Sequence, residues 1–130
     1  MATRATYEFI KREYDALAVF TCIYKHHDGY PTGAVQHLEN ASTAESFLRK
    51  HTDAEIIADH DTAGDTEYRY TIDRRIDDGY DKTFILVKSR VGFSSRWKGE
   101  FFGTLKEFRA KYWNDDHAEA FGNVRDRLAG

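Results

Sequence analysis

Apolar and polar residues alternate along several stretches of this chain, and the alternation predicts strands. From Thr3 to Ile10, Tyr7 and Phe9 face one way and Thr6 and Glu8 the other. From Leu17 to His26, Ala18, Phe20, Cys22 and Tyr24 share one face, while Val19 and Ile23 occupy the opposite one. Apolar residues on both faces predict a central strand. The charged stretch Lys11 to Asp15 suits the connection between the two, which makes an N-terminal hairpin. Between Thr66 and Arg74, Tyr68, Tyr70 and Ile72 alternate with Glu67, Arg69, Thr71 and Asp73. Asp77-Asp78-Gly79 then supplies a turn, because glycine accepts positive φ without steric cost. Thr83 to Arg90 returns as the second arm of a central hairpin, and after a loop at Gly92 to Ser95, Arg96 to Phe102 predicts one further strand.

Helical spacing occupies the middle and the end. A structured turn holding the single proline, Pro31, leads into a helix that starts near Gly33 and carries Val35 and Leu38. Ser42-Thr43-Ala44-Glu45 has the form of a capping box and predicts a second helix with Phe47 and Leu48 buried. Ala54 to Asp65 shows no clear period. Thr104-Leu105-Lys106-Glu107 is a further capping box, opening a helix with Leu105, Phe108 and Tyr112 on one face. Ala118, Phe121, Val124 and Leu128 predict a last helix from Asp115 or Asp116. The fold class expected is α+β: a mainly antiparallel β-sheet from N-terminal and central hairpins, packed with helices in the middle and at the C-terminus. Its 130 residues suit a single domain, 1–130, able to hold a core without disulfide or metal.

Composition adds limits. Eleven arginines and eight lysines stand against 22 acidic residues, for a net charge of −3, which argues against general nucleic-acid binding. The excess of arginine favours planar, bidentate phosphate contacts where cations are functional. The lone cysteine, Cys22, permits no intramolecular disulfide, which fits a reducing compartment. With no run of about 18 apolar residues and no leader pattern, the expectation is a cytoplasmic protein without a membrane partner. Nine Phe, eight Tyr and two Trp supply core volume and also suit wet interfaces and flat ligand rings.

Candidate chemistry concentrates in two places. Tyr24-Lys25-His26-His27-Asp28-Gly29-Tyr30-Pro31-Thr32-Gly33-Ala34 places two imidazoles, a carboxylate and a phenol at a strand end, just before a helix N-terminus. The residues leave two readings open: an anion site at the helix start, or an Asx-type turn bearing surface histidines. Gly29 is expected to need positive φ, and Gly33 to permit close backbone approach. A carboxylate–imidazole metal site from His26, His27, Asp28, Asp59, His60 and Asp61 is disfavoured, because neighbouring strand residues point to opposite faces. The second place is Lys88-Ser89-Arg90-Val91-Gly92-Phe93-Ser94-Ser95-Arg96-Trp97-Lys98, where cations alternate with hydroxyls and aromatics. It suits phosphates and a stacked base, or else it is a solvated loop with Trp97 plugged into the core. Glycine-rich nucleotide fingerprints and a recognisable nucleophile are lacking, and Cys22, mid-strand on an apolar face, reads as core.

Four blocks carry a family resemblance. Thr3-Arg4-Ala5-Thr6-Tyr7, His27-Asp28-Gly29-Tyr30-Pro31-x-Gly33-Ala34, Gly64-Asp65-Thr66-Glu67-Tyr68-Arg69-Tyr70-Thr71-Ile72 and Gly103-Thr104-Leu105-x-Glu107-Phe108 span most of the chain, and through them it resembles the phage-encoded Thoeris anti-defence sponge family, the first one described. The Asp-Gly-Tyr-Pro-x-Gly-Ala string is the most specific of these. The resemblance implies a non-enzymatic viral protein acting in the host cytoplasm. It would bind a cyclic ADP-ribose isomer made by a bacterial TIR-domain enzyme, and in some members cyclic oligonucleotides too, without cleaving them. It also implies a homo-oligomer built from dimers, with pockets between protomers, and no cofactor. For such a ligand, Arg4, His27, Tyr30, Arg90, Phe93 and Phe102 are the candidates to meet pyrophosphate and adenine, and Asp28 to accept from ribose hydroxyls. Arg125 joins them if the final helix closes over a neighbouring pocket. The longer, charged first hairpin, Lys11 to Leu17, departs from the family pattern and bears on assembly. Two other classes stay open: a small phosphodiesterase acting on the same signals, and a protein-interaction inhibitor of a host enzyme.

Overall fold

Strands whose apolar residues fall on one side bury that side, and here one sheet does so against three helices. The computed structural model describes residues 3–13, 18–77 and 80–113. The elements run β1 (Ala5–Glu13), β2 (Val19–Lys25), α1 (Pro31–Leu38), α2 (Ala44–Lys50), β3 (Glu55–Ile57), a 3-10 turn (His60–Thr62), β4 (Tyr68–Asp77), β5 (Tyr80–Ser89), β6 (Lys98–Thr104) and α3 (Leu105–Tyr112). The six strands form one sheet in the order β3-β2-β1-β4-β5-β6. The fold is α+β, as the alternation predicts.

Both expected hairpins form. β1 pairs antiparallel with β2, Ala5 opposite Lys25 and Lys11 opposite Val19. β4 pairs antiparallel with β5 as far as Asp77 opposite Tyr80. The hairpins meet through β1 and β4, which run parallel from Ala5 beside Tyr68 to Glu13 beside Ile76. β1 is therefore interior from Ala5 to Lys11, whereas β2 is interior only where the three-residue β3 covers Cys22 to Tyr24. Beyond that cover Val19 is 60% and Phe20 58% exposed, so the apolar doubling of β2 marks an incompletely covered strand. Lys11 to Glu13 extend β1 rather than forming the connection, because β4 supplies them with a neighbour.

The core lies between the sheet and the helices. Ala5, Tyr7 and Phe9 of β1, Ile23 of β2, Tyr70 and Ile72 of β4, and Ile85 and Val87 of β5 are all buried there. Val35 and Leu38 of α1, Phe47 of α2 and Phe108 of α3 complete the cluster. The Tyr7 ring stacks on Tyr70 with centroids 4.8 Å apart and meets Phe47 at the same distance. Each fully buried ring of this kind stabilises the fold by about 1.5–3 kcal/mol relative to an exposed one. Cys22 is buried, and burial raises its thiol to about 12, which fits core rather than nucleophile.

Helix starts follow local chemistry. Pro31 occupies the first turn of α1, where its missing N–H costs nothing. α2 is capped one residue later than the sequence suggests: Thr43 Oγ1 accepts from the Ser46 amide (3.1 Å), and Ser46 Oγ accepts from the Thr43 amide (3.1 Å). Serine thus replaces the expected Glu45 as the reciprocal partner. α3 has the expected box, with Thr104 and Glu107 exchanging bonds at 3.0 and 3.1 Å. The final helix expected from Asp115 or Asp116, and Arg125 with it, lies outside the described residues. Among the described residues no helix is long and apolar enough to cross a membrane.

Candidate functional site

Strand register gathers the candidate residues at one end of the sheet. Lys25, Ala5, Tyr68, Ser89 and Lys98 lie in line across β2, β1, β4, β5 and β6. Arg4, His26, His27, Asp65 and Arg90 therefore sit just beyond the strand ends on the same side.

The β2–α1 turn is tied to the sheet through its backbone. The Gly29 amide donates to Thr3 O (2.9 Å), and the Tyr70 hydroxyl donates to Gly29 O. The positive φ belongs to Asp28 (57°), not to Gly29 as the turn chemistry suggests. Asp28 can adopt it because short polar side chains tolerate the left-handed region. Gly29 is needed for space instead: a Cβ there would stand 2.6 Å from Ala5 Cβ. Gly33 meets its expectation, since its Cβ would stand 2.3 Å from the Asp28 carbonyl oxygen. The Tyr30 hydroxyl donates to Asp28 Oδ1 (2.9 Å), and burial, then this carboxylate, raises the phenol above its usual range. Asp28 and Tyr30 thus tie the turn together side chain to side chain. His27 is exposed beside it.

A second network holds the flank. Tyr24 donates to both oxygens of Asp65 (3.0 and 2.8 Å), and Arg4 Nε lies 3.4 Å from the same carboxylate. Burial and that bond push the Tyr24 phenol up to about 12. His26 packs edge-on against Tyr24 and approaches Glu55 at 3.9 Å. The other members of the imagined metal set are engaged separately: Asp59 accepts from the Thr62 amide (2.9 Å), His60 Nδ1 meets Thr6 Oγ1 (2.6 Å), and Asp61 pairs with Arg69 (2.8 Å).

The β5–β6 loop is built around Arg90. Its Nε donates to Thr66 O (2.8 Å), Nη2 to Gly64 O (2.6 Å) and Nη1 to Ser94 O (3.3 Å). The guanidinium also packs on Trp97, 4.7 Å from the ring centroid, where Arg69 approaches to 4.0 Å. Trp97 is therefore held between guanidinium groups at the surface rather than plugged into the core. Arg90 organises the loop through three carbonyls while also lining the cavity beside it.

Beside this scaffold lies a cavity of about 400 Å³, lined by Glu67, Tyr68, Ser89, Arg96, Lys98 and Glu100 together with Arg90. Phe93, in the same loop, is 77% exposed, and Gly92 takes the left-handed conformation (φ 57°) that turns the chain there. Burial, then Glu100 and Glu67, raises the Tyr68 phenol, so it keeps its proton and remains a donor. The expected set thus divides. Arg4, His27, Asp28, Tyr30, Arg90 and Phe93 share one end of the sheet. Phe102 does not join them: it pairs with Leu86 further along β6, stacks on Phe84 (6.2 Å) and is 71% exposed on the sheet face opposite the core. Tyr68 and Glu100 were not among the expected residues, since their meeting depends on the β4-β5-β6 register.

No protein-family model, curated protein or solved structure matches this chain.

Proposed function

We propose that this protein is a non-catalytic capture protein for a cyclic ADP-ribose isomer, acting as an anti-defence sponge in the cytoplasm of an infected bacterium. The observation that carries the reading is the cavity at the β5–β6 loop, lined by Arg96, Lys98 and Tyr68, with the exposed ring of Phe93 in the same loop, 5.8 Å from the Arg90 guanidinium. Cations suit a pyrophosphate, an exposed aromatic ring suits adenine, and a loop already fixed by Arg90 loses little freedom on binding. The family resemblance supplies the particular ligand. Capture that competes with a sensor calls for nanomolar affinity, about −12 kcal/mol.

The test is direct. The protein is mixed with cyclic ADP-ribose isomers, freed of unbound ligand and heated. Intact ligand in the supernatant supports capture, a cleaved product supports the phosphodiesterase, and no retention at all sinks capture and supports the protein-interaction inhibitor. By calorimetry, Arg96→Ala and Lys98→Ala should each weaken binding by about one to two decades with the fold kept, as loss of one charge-assisted contact requires.

The same reading includes a homo-oligomer. Its support is the exposed aromatic side chains on the sheet face opposite the core, where Phe102 and Phe20 are 71% and 58% exposed and Phe84 stacks on Phe102. Light scattering at micromolar concentration is expected to give a mass above that of the 15.1 kDa chain. Phe102→Glu is expected to lower it, and a parent that is monomeric throughout removes this part of the reading.

A further inference from the structure

Two carboxylates, Glu67 and Glu100, line the cavity beside the cations Arg96 and Lys98, and Glu100 is the one that a serine hydroxyl holds. Glu100 projects from β6, and its Oε1 accepts from Ser89 Oγ while Lys98 Nζ lies 3.8 Å from the same oxygen. The side chain is about one-third exposed, at 34%, whereas Lys98 is 78% exposed. Ser89 therefore fixes the carboxylate in place, and a surface cation at 3.8 Å neutralises it weakly. Tyr68 lines the same cavity, and the Glu100 charge helps raise its phenol.

An ionised carboxylate only accepts hydrogen bonds. A phosphate oxygen brought to Glu100 meets like charge, whereas a hydroxyl meets an acceptor held in position. A ligand that satisfies Arg96, Lys98 and Glu100 together must carry an anionic group and a hydroxyl donor within one small molecule. Bare polyanions offer the first without the second, and neutral sugars the second without the first. A ribose bearing phosphate carries both.

We propose that Glu100 is the specificity-determining residue of this cavity, accepting from a ribose hydroxyl and repelling phosphate, so that the site takes ribose–phosphate ligands and rejects polyanions that lack a hydroxyl. The inference rests on the capture reading. It also gives Ser89 a task, that of orienting the carboxylate.

The experiment compares Glu100→Gln with the parent in calorimetric titrations with cyclic ADP-ribose isomers and with inorganic pyrophosphate. Circular dichroism confirms that the variant folds. Glutamine keeps the shape and removes the charge. The parent should prefer the cyclic ligand strongly. In the variant, pyrophosphate should bind about tenfold tighter and the cyclic ligand about tenfold weaker, so the preference narrows by about two decades. Ser89→Ala should narrow it less. A parent that binds a cyclic ligand while Glu100→Gln keeps the full preference overturns the role of Glu100 and leaves capture standing. A parent that binds neither probe overturns both.

Discussion

Gly33→Ala is expected to unfold at a much lower urea concentration than the parent, by an amount corresponding to about 3 kcal/mol. Inside an ordinary exposed helix the same change would stabilise by about 1 kcal/mol, because alanine is the better helix former. Here the sign reverses. Gly33 lies in the first turn of α1 and its missing Cβ is where the Asp28 carbonyl stands, 2.3 Å from the position that atom would take. The neighbour is backbone, held by an Asp28 in the left-handed region and a Gly29 bonded to Thr3 and Tyr70, so it cannot swing aside as a flexible side chain would. Gly64→Ala is the matched control. Nothing lies within 4 Å of its Cβ position, and its midpoint should stay within about 0.5 kcal/mol of the parent. If Gly33→Ala melts with the parent, the close approach is not real.

Acid should weaken the fold well before its carboxylates titrate. His37 is 7% exposed, and burial, then the positive charges of Lys25 and His51, lower its pKa to about 3. Lys50 adds to that positive surround. His51, packed edge-on against His37 and bonded to its carbonyl at 3.1 Å, is lowered to about 4, again chiefly by burial. Lys25 itself is buried and paired with Asp53 at 3.0 Å. The sign follows from which state takes the proton first. Unfolded histidine protonates near pH 6.5 and the folded His37 near pH 3, so the stability contributed by neutral His37 is complete above about 6.5 and is lost as pH falls toward 3. One such group costs about 1.4 kcal/mol per pH unit, or about 2–3 kcal/mol between pH 6.5 and 4.5. Urea midpoints measured from pH 7 to 4.5 should fall steadily, and His37→Gln should flatten that slope. A parent equally stable at both ends would refute the neutral buried pair.

What the sequence made legible, and what it hid, follows from the range of each interaction. Tyr7 and Phe9, or Tyr70 and Ile72, reveal strands because side chains on alternate residues point to one face. The Thr104–Glu107 box is equally local. The parallel junction of β1 with β4 is not, because alternation looks the same whichever direction the neighbour runs. β3 is three residues long, too short to show a period. At the candidate site, the bonds from Arg90 to the Thr66, Gly64 and Ser94 carbonyls are hidden in the sequence, because a free guanidinium and one so engaged read identically there. Asp28 took the positive φ predicted for Gly29 because the crowding at Ala5 that fixes Gly29 comes from another strand. Glu100 was invisible for the same reason.

The position of β1 has a consequence for how the chain reaches this structure. Its partner on one side, β2, follows almost at once, but its partner on the other side begins about sixty residues later, with Ala5 beside Tyr68. During synthesis, β1, β2, α1, α2 and β3 leave the ribosome with the long edge of β1 unpaired and Tyr7 lacking the ring of Tyr70 on which it stacks. Closing that loop costs entropy before any contact repays it, so joining the two hairpins is the natural slow step of folding. Until it happens, the bare edge of β1 is the place where a nascent chain is most exposed to pairing with the wrong partner.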